Sequence, residues 1–188
     1  MDRQLKDALY QVARYLEDNG FRYAVVGGIA LSYWNVARFT YDIDIKLLVP
    51  NAEYAATRQF LRTRFPEKAR EQIPENTLIV AVNVNDVMVD FLLALPGYEE
   101  LIVERAVRHD LDEFAIWICT AEDLIIQKVV AGRQKDWPDI EALLIEQWHK
   151  LDQSYVEGWL SQFAEALETP ELLARYLSLR RSVQRMVE

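Results

Sequence analysis

The stretch "YDIDIKLLV", residues 41–49, constrains this chain more than any other. Polar and apolar residues alternate, so it reads as a strand with Asp42 and Asp44 on one face and Ile43 and Ile45 on the other. The isoleucines must enter a core, which forces the two carboxylates to sit side by side. In a partly buried place that costs free energy unless a cation lies between them or one carboxyl is protonated. Two oxygen donors from one strand are a natural start to a Mg²⁺ site, since Mg²⁺ is held by carboxylates, water and substrate phosphate. A solvated strand end with two surface acids is the simpler alternative.

The residues upstream bear on that choice. "FRYAVVGG" is a short strand rich in β-branched and aromatic residues, and Gly27-Gly28 close it and open the short helix "GIALSYWNVA". Glycine lets backbone approach a phosphate closely, and N–H groups at a helix start favour anions. The pair matches neither the G-x-G-x-x-G dinucleotide pattern nor a Walker A loop. A phosphate cradle joined by one short helix to a carboxylate pair nevertheless makes a coherent nucleotide–metal unit. Asp90 adds a third acid, the one charge in the apolar strand "VMVDFLL". A charge there is seldom buried without a partner, and a salt bridge to Arg38 or Lys46 is its structural alternative.

The rest of the chain supplies the frame. Leu5, Ala8, Leu9, Val12 and Leu16 fall at helical spacing, with Gly20 as the stop. A helix is expected over "NAEYAATRQFLRTRF" and a polar loop over "FPEKAREQIPEN", bracketed by Pro66 and Pro74. "TLIVAV" and "VMVDFLLAL" form strands around a hairpin at "NVND". Residues 97–108 look helical, and "EFAIWIC" is a further strand. Thr120 and Asp123 resemble a capping box opening "AEDLIIQKVVAG", and helices over about 137–149, 152–167 and 170–187 complete the chain. The expected organisation is a mixed α/β core over 1–119 and a helical part over 120–188 packed on it.

Bulk composition sets limits. Of 188 residues about half are hydrophobic, enough for a real core. A net charge of −9 argues against a broad nucleic-acid or anionic-membrane surface, while leaving room for a small cationic pocket. One cysteine, Cys119 in the apolar run "FAIWIC", excludes an intrachain disulfide and suits a reducing, cytoplasmic setting. The charged start "MDRQLKDALYQ" has no signal-peptide core, and the apolar runs are too short to span a bilayer, so no membrane partner is expected.

Taken together, the glycine pair, thirteen intervening residues, "DIDI" and a later strand aspartate resemble the nucleotidyltransferases of the DNA polymerase β superfamily. Within it they are similar to the minimal branch that includes the abortive-infection AbiE-type toxins. The likeness resumes at "AEDLIIQKVVAGRQKDWPDIEAL", with Leu124, Lys128, Arg133 and Asp136 at the branch's positions, and covers roughly residues 20–145. It implies a polymerase-β-like mixed sheet flanked by helices, and two-metal transfer of a nucleotide from an NTP to a hydroxyl. Asp42, Asp44 and Asp90 would then be catalytic and hold two Mg²⁺ ions. Gly27 and Gly28 would seat the triphosphate. Lys128 and Arg133 would neutralise phosphate charge, with Asp136 orienting one of them. Arg38 would pair with Asp42 or Asp44 in the protein alone and turn to phosphate when metal binds. The acceptor (a tRNA end, a protein side chain or a small molecule) stays open. A toxin role, with an antitoxin protein as partner, follows from the resemblance only. A non-catalytic nucleotide- or partner-binding module on the same fold is the rival reading.

Overall fold

The structure is a computed structural model, and it describes residues 1–66, 78–111 and 114–188. The polar loop expected between Pro66 and Pro74 lies, from residue 67 on, outside the described residues. The chain divides into two compact units: Met1–Ala30 with Phe39–Cys119, and Leu31–Arg38 with Thr120–Glu188.

The first unit is built on a six-stranded mixed sheet. Its strands are β1 (Tyr23–Val26), β2 (Asp42–Leu47), β3 (Ile79–Val84), β4 (Val87–Leu93), β5 (Val107–Leu111) and β6 (Phe114–Ile118), in the order β3-β4-β2-β1-β6-β5. β2 runs parallel to β4 and antiparallel to β1, while β1 is parallel to β6. The β3–β4 hairpin closes through Asn85 and Asp86, both at positive φ as a two-residue type I′ turn requires.

Ile43, Ile45, Val89 and Phe91 are fully buried on one face of the sheet. Each is worth about 1.5–3 kcal/mol of burial, which pins the register of β2 against a one-residue slip. Phe91 meets Phe65, which meets Tyr15 edge-on at 5.1 Å; this aromatic chain ties the helix α1 (Arg3–Asp18) to the same face. The stripe Leu5, Ala8, Leu9, Val12, Ala13 and Leu16 is the buried side of α1, as its spacing predicts. Between β1 and β2 runs α2 (Gly27–Tyr33); α3 (Tyr54–Arg64) follows β2, and α4 (Tyr98–Glu104) follows β4.

The helix expected over 97–108 is shorter than its spacing suggests. α4 ends at Glu104, and Val107–Leu111 is the edge strand β5. Its "VRHDL" is exposed at alternate positions and carries an Arg108–Asp110 ion pair, so charge replaces the apolar alternation by which a strand is normally recognised.

The second unit contains α5 (Ala121–Ala131), α6 (Trp137–Gln147), α7 (Gln153–Ala166) and α8 (Pro170–Val187). Thr120 caps α5: its hydroxyl accepts from the Asp123 N–H and donates to Asp123 Oδ2 at 2.8 Å. Asp123 Oδ1 accepts from the Tyr155 hydroxyl of α7 at 2.8 Å. Gly132, at φ +64, ends α5 in the left-handed conformation that favours glycine. Residues 31–38 join this unit through the Gln147 amide, which donates to the Trp34 carbonyl at 3.0 Å. Cys119 is buried and takes part in no disulfide. Among the described residues, no helix is long and apolar enough to cross a membrane.

Candidate active site

The carboxylates belong to the sheet unit. Asp42 and Asp44 are two residues apart on β2, and Asp90 lies on β4 directly in register with Asp44. Paired residues of neighbouring strands share a face, so all three acids stand on the face opposite Ile43 and Ile45. Exposure falls along that face, from the open Asp42 through half-buried Asp44 to buried Asp90 and Lys46. Lys46, weighed as a partner for Asp90, donates to Glu99 of α4 at 2.6 Å.

The glycine pair backs this row of acids. Gly27 sits at φ +65, and a Cβ placed there would lie 2.1 Å from Asp44 Oδ2. The Asp44 carboxylate therefore occupies the space that any other side chain at position 27 would need. A Cβ on Gly28 would come within 2.6 Å of the Thr40 Cβ. Thr40 in turn donates from its hydroxyl to Asp42 Oδ1 at 2.7 Å. That hydroxyl positions the entry into β2. Each glycine is thus matched to one residue of the "TYDID" segment: Gly27 to Asp44, and Gly28 to Thr40.

These donors are all carboxylate oxygens, the chemistry a hard divalent cation such as Mg²⁺ takes. Among the described residues, no group of three or more His, Cys, Asp or Glu side chains is gathered to hold a metal. Mg²⁺ commonly takes only one or two protein carboxylates and completes its shell with water and substrate phosphate. The donor set is compatible with that arrangement.

The cationic candidates belong to the helical unit and form a ladder of alternating charge. Lys128, 7% exposed, donates to Asp136 Oδ1 at 3.3 Å and to Asp139 Oδ2 at 2.8 Å. Asp136, 1% exposed, accepts from Arg133 Nε at 2.6 Å and from its Nη2 at 3.3 Å. Asp139 Oδ2 also accepts from Arg38 Nη1. The order Arg38–Asp139–Lys128–Asp136–Arg133 leaves one net positive charge. Two of its cations keep solvent access, Arg133 at 57% and Arg38 at 34%.

Burial pushes the Asp136 carboxyl up, but the Arg133 hydrogen bond and the Lys128 and Arg133 charges outweigh it and hold it below its ordinary range. One expectation changes here. Arg38 donates to Asp139 and not to the strand acids. Asp136 precedes α6 in its N-cap position yet makes no side-chain cap bond; its carboxylate is taken up by Arg133 and Lys128. Asp139 is not singled out by its sequence context. An acid in the first turn of a helix is ordinarily read as a partner for the helix dipole, and only its i, i+3 spacing from Asp136 hints at a shared network. Nearby, the Arg175 guanidinium lies 3.9 Å over the Trp137 ring and donates to Gln134.

The mixed sheet with its flanking helices is the polymerase-β-like nucleotidyltransferase fold, and solved structures share it. An antigenic nucleotidyltransferase-like protein from Paracoccidioides brasiliensis superposes with a TM-score of 0.54 at 17% identity, over 91% of this chain and 92% of its own. The antibiotic-resistance factor ANT(2″)-Ia superposes with a TM-score of 0.58 at 16% identity, over 91% of this chain and 97% of its own. No curated protein matches the sequence. The family model described as "Nucleotidyl transferase of unknown function (DUF2204)" matches residues 5–177, and the chain belongs to that family.

Proposed function

We propose that this protein is a Mg²⁺-dependent nucleotidyltransferase that moves a nucleoside monophosphate from an NTP to an acceptor hydroxyl. The observation that carries this reading is the seating of Asp44: its carboxylate is packed against Gly27 and level with Asp90 on the neighbouring strand. In the reaction, the acceptor oxygen bonds to the α-phosphorus, the bond from that phosphorus to the bridging oxygen breaks, and pyrophosphate leaves. Asp42, Asp44 and Asp90 would hold the metal, which supplies charge neutralisation and a lowered hydroxyl pKa when bound. Asp90, the most buried of the three, is assigned to help take the acceptor proton. Gly27 and Gly28 would seat the triphosphate through backbone N–H groups at the start of α2. Lys128 and Arg133 answer the negative charge that builds on phosphate, held in place by Asp136.

The acceptor is a tRNA end, a protein side chain or a small molecule. A toxin role alongside an antitoxin protein rests on the AbiE-type motif resemblance.

The test is to incubate each α-labelled NTP with Mg²⁺ and a total tRNA-plus-protein extract, using wild type and Asp42→Asn/Asp44→Asn. We expect label on one acceptor class with wild type, and at least a roughly 100-fold loss with the double variant. No transfer, together with NTP binding that is indifferent to the substitutions, would favour a non-catalytic binding module instead.

A further inference from the structure

The branch point of the charge ladder has no role in the chemistry set out above. Asp139 Oδ2 receives both Lys128 Nζ, at 2.8 Å, and Arg38 Nη1. Asp139 stands in the first turn of α6, a rigid eleven-residue helix, and its side chain is 12% exposed. Arg38 ends the segment that leads toward β2, four residues before Asp42. Its side chain keeps about one third of its surface open, and a guanidinium has five N–H donors in a fixed plane. An arginine held through one nitrogen and still one-third open to solvent is preset for a second anion. A long side chain without that anchor would have to be ordered at each binding event.

The two cations depend on Asp139 unequally. Lys128 retains Asp136 as a second carboxylate, whereas Asp139 is the acid paired with Arg38. Removing the Asp139 charge should therefore release Arg38 more than Lys128. From this we infer that Asp139 is a positioning residue for nucleotide recognition, fixing the Arg38 guanidinium so that its outward N–H groups meet the triphosphate. The inference rests on the nucleotidyl transfer proposed above. It assigns Asp139 to binding of the NTP and not to the bond-making step.

The test is a double-mutant cycle of Arg38→Ala and Asp139→Asn in the full chain, reading KM for the NTP, kcat, and direct binding of a fluorescent NTP analogue. Each single variant should raise KM about tenfold while kcat changes less than about threefold. The double variant should be no worse than either single one, because the second change removes an interaction already lost. Asp139→Glu should recover part of the affinity. If Asp139→Asn does not fold, Arg38→Ala alone still decides, and an unchanged KM there overturns the assignment. Effects that multiply, or a loss confined to kcat, also overturn it. A wild type that neither binds nor transfers NTP overturns nucleotidyl transfer itself; a wild type that transfers, with multiplied effects, overturns only the role of Asp139.

Discussion

Gly27 shows how one absent side chain can organise a site. Its φ of +65 lies where L-residues are strained, and the position of its missing Cβ is filled by Asp44 Oδ2. Alanine there faces both penalties, a left-handed backbone and a carboxylate that must rotate away. Gly27→Ala should lower stability by roughly 1–2 kcal/mol. It should also displace Asp44, so metal-dependent NTP binding should fall further than the stability loss explains. Chemical denaturation and nucleotide titration of the same variant separate the two effects. Gly28 has an ordinary φ, and its constraint is the Thr40 side chain alone. The two glycines are adjacent in sequence but are required for different physical reasons.

At the scale of elements, the ladder binds the end of α5, the turn at 133–136 and the start of α6 into one electrostatic object. Because the folded-state pKa of Asp136 is depressed, its contribution to stability is fully present above the ordinary carboxylate range near pH 4. It is lost as pH falls through the lower folded value. Wild-type unfolding free energy should therefore drop below about pH 4, and Asp136→Asn should flatten that part of the profile. At neutral pH the same variant should be less stable by about 3 kcal/mol, since buried Lys128 would lose one of its carboxylates. Equilibrium unfolding from pH 2 to 7 checks both.

What the sequence reveals at this scale follows from what alternation encodes. β2 alternates strongly, so its faces, and the shared side of Asp42 and Asp44, are legible. The in-register pairing of Asp44 with Asp90 was not, because it depends on strand order, which no local pattern specifies. β5 escaped recognition because an edge strand needs little apolar surface. Arg38 and Asp139 are 101 positions apart, and nothing in either neighbourhood announces the other.

For the molecule as a whole, the helical unit is not a contiguous stretch of chain. It takes in residues 31–38, which reach it through the Gln147–Trp34 hydrogen bond and the Arg38–Asp139 pair. A fragment of residues 120–188 should consequently show weak, non-cooperative thermal unfolding by circular dichroism. Adding a 31–38 peptide should partly restore cooperativity. In evolutionary terms, this discontinuity limits recombination. Exchanging the last third of this protein with that of a relative would part Trp34 and Arg38 from the residues that receive them, so a viable hybrid must inherit an eight-residue passage from near the start of the gene as well. Related chains should therefore show correlated change between that passage and the receiving positions on α6, and a lineage that acquires a new carboxyl-terminal region should carry a matching change in the sequence just ahead of its paired aspartates.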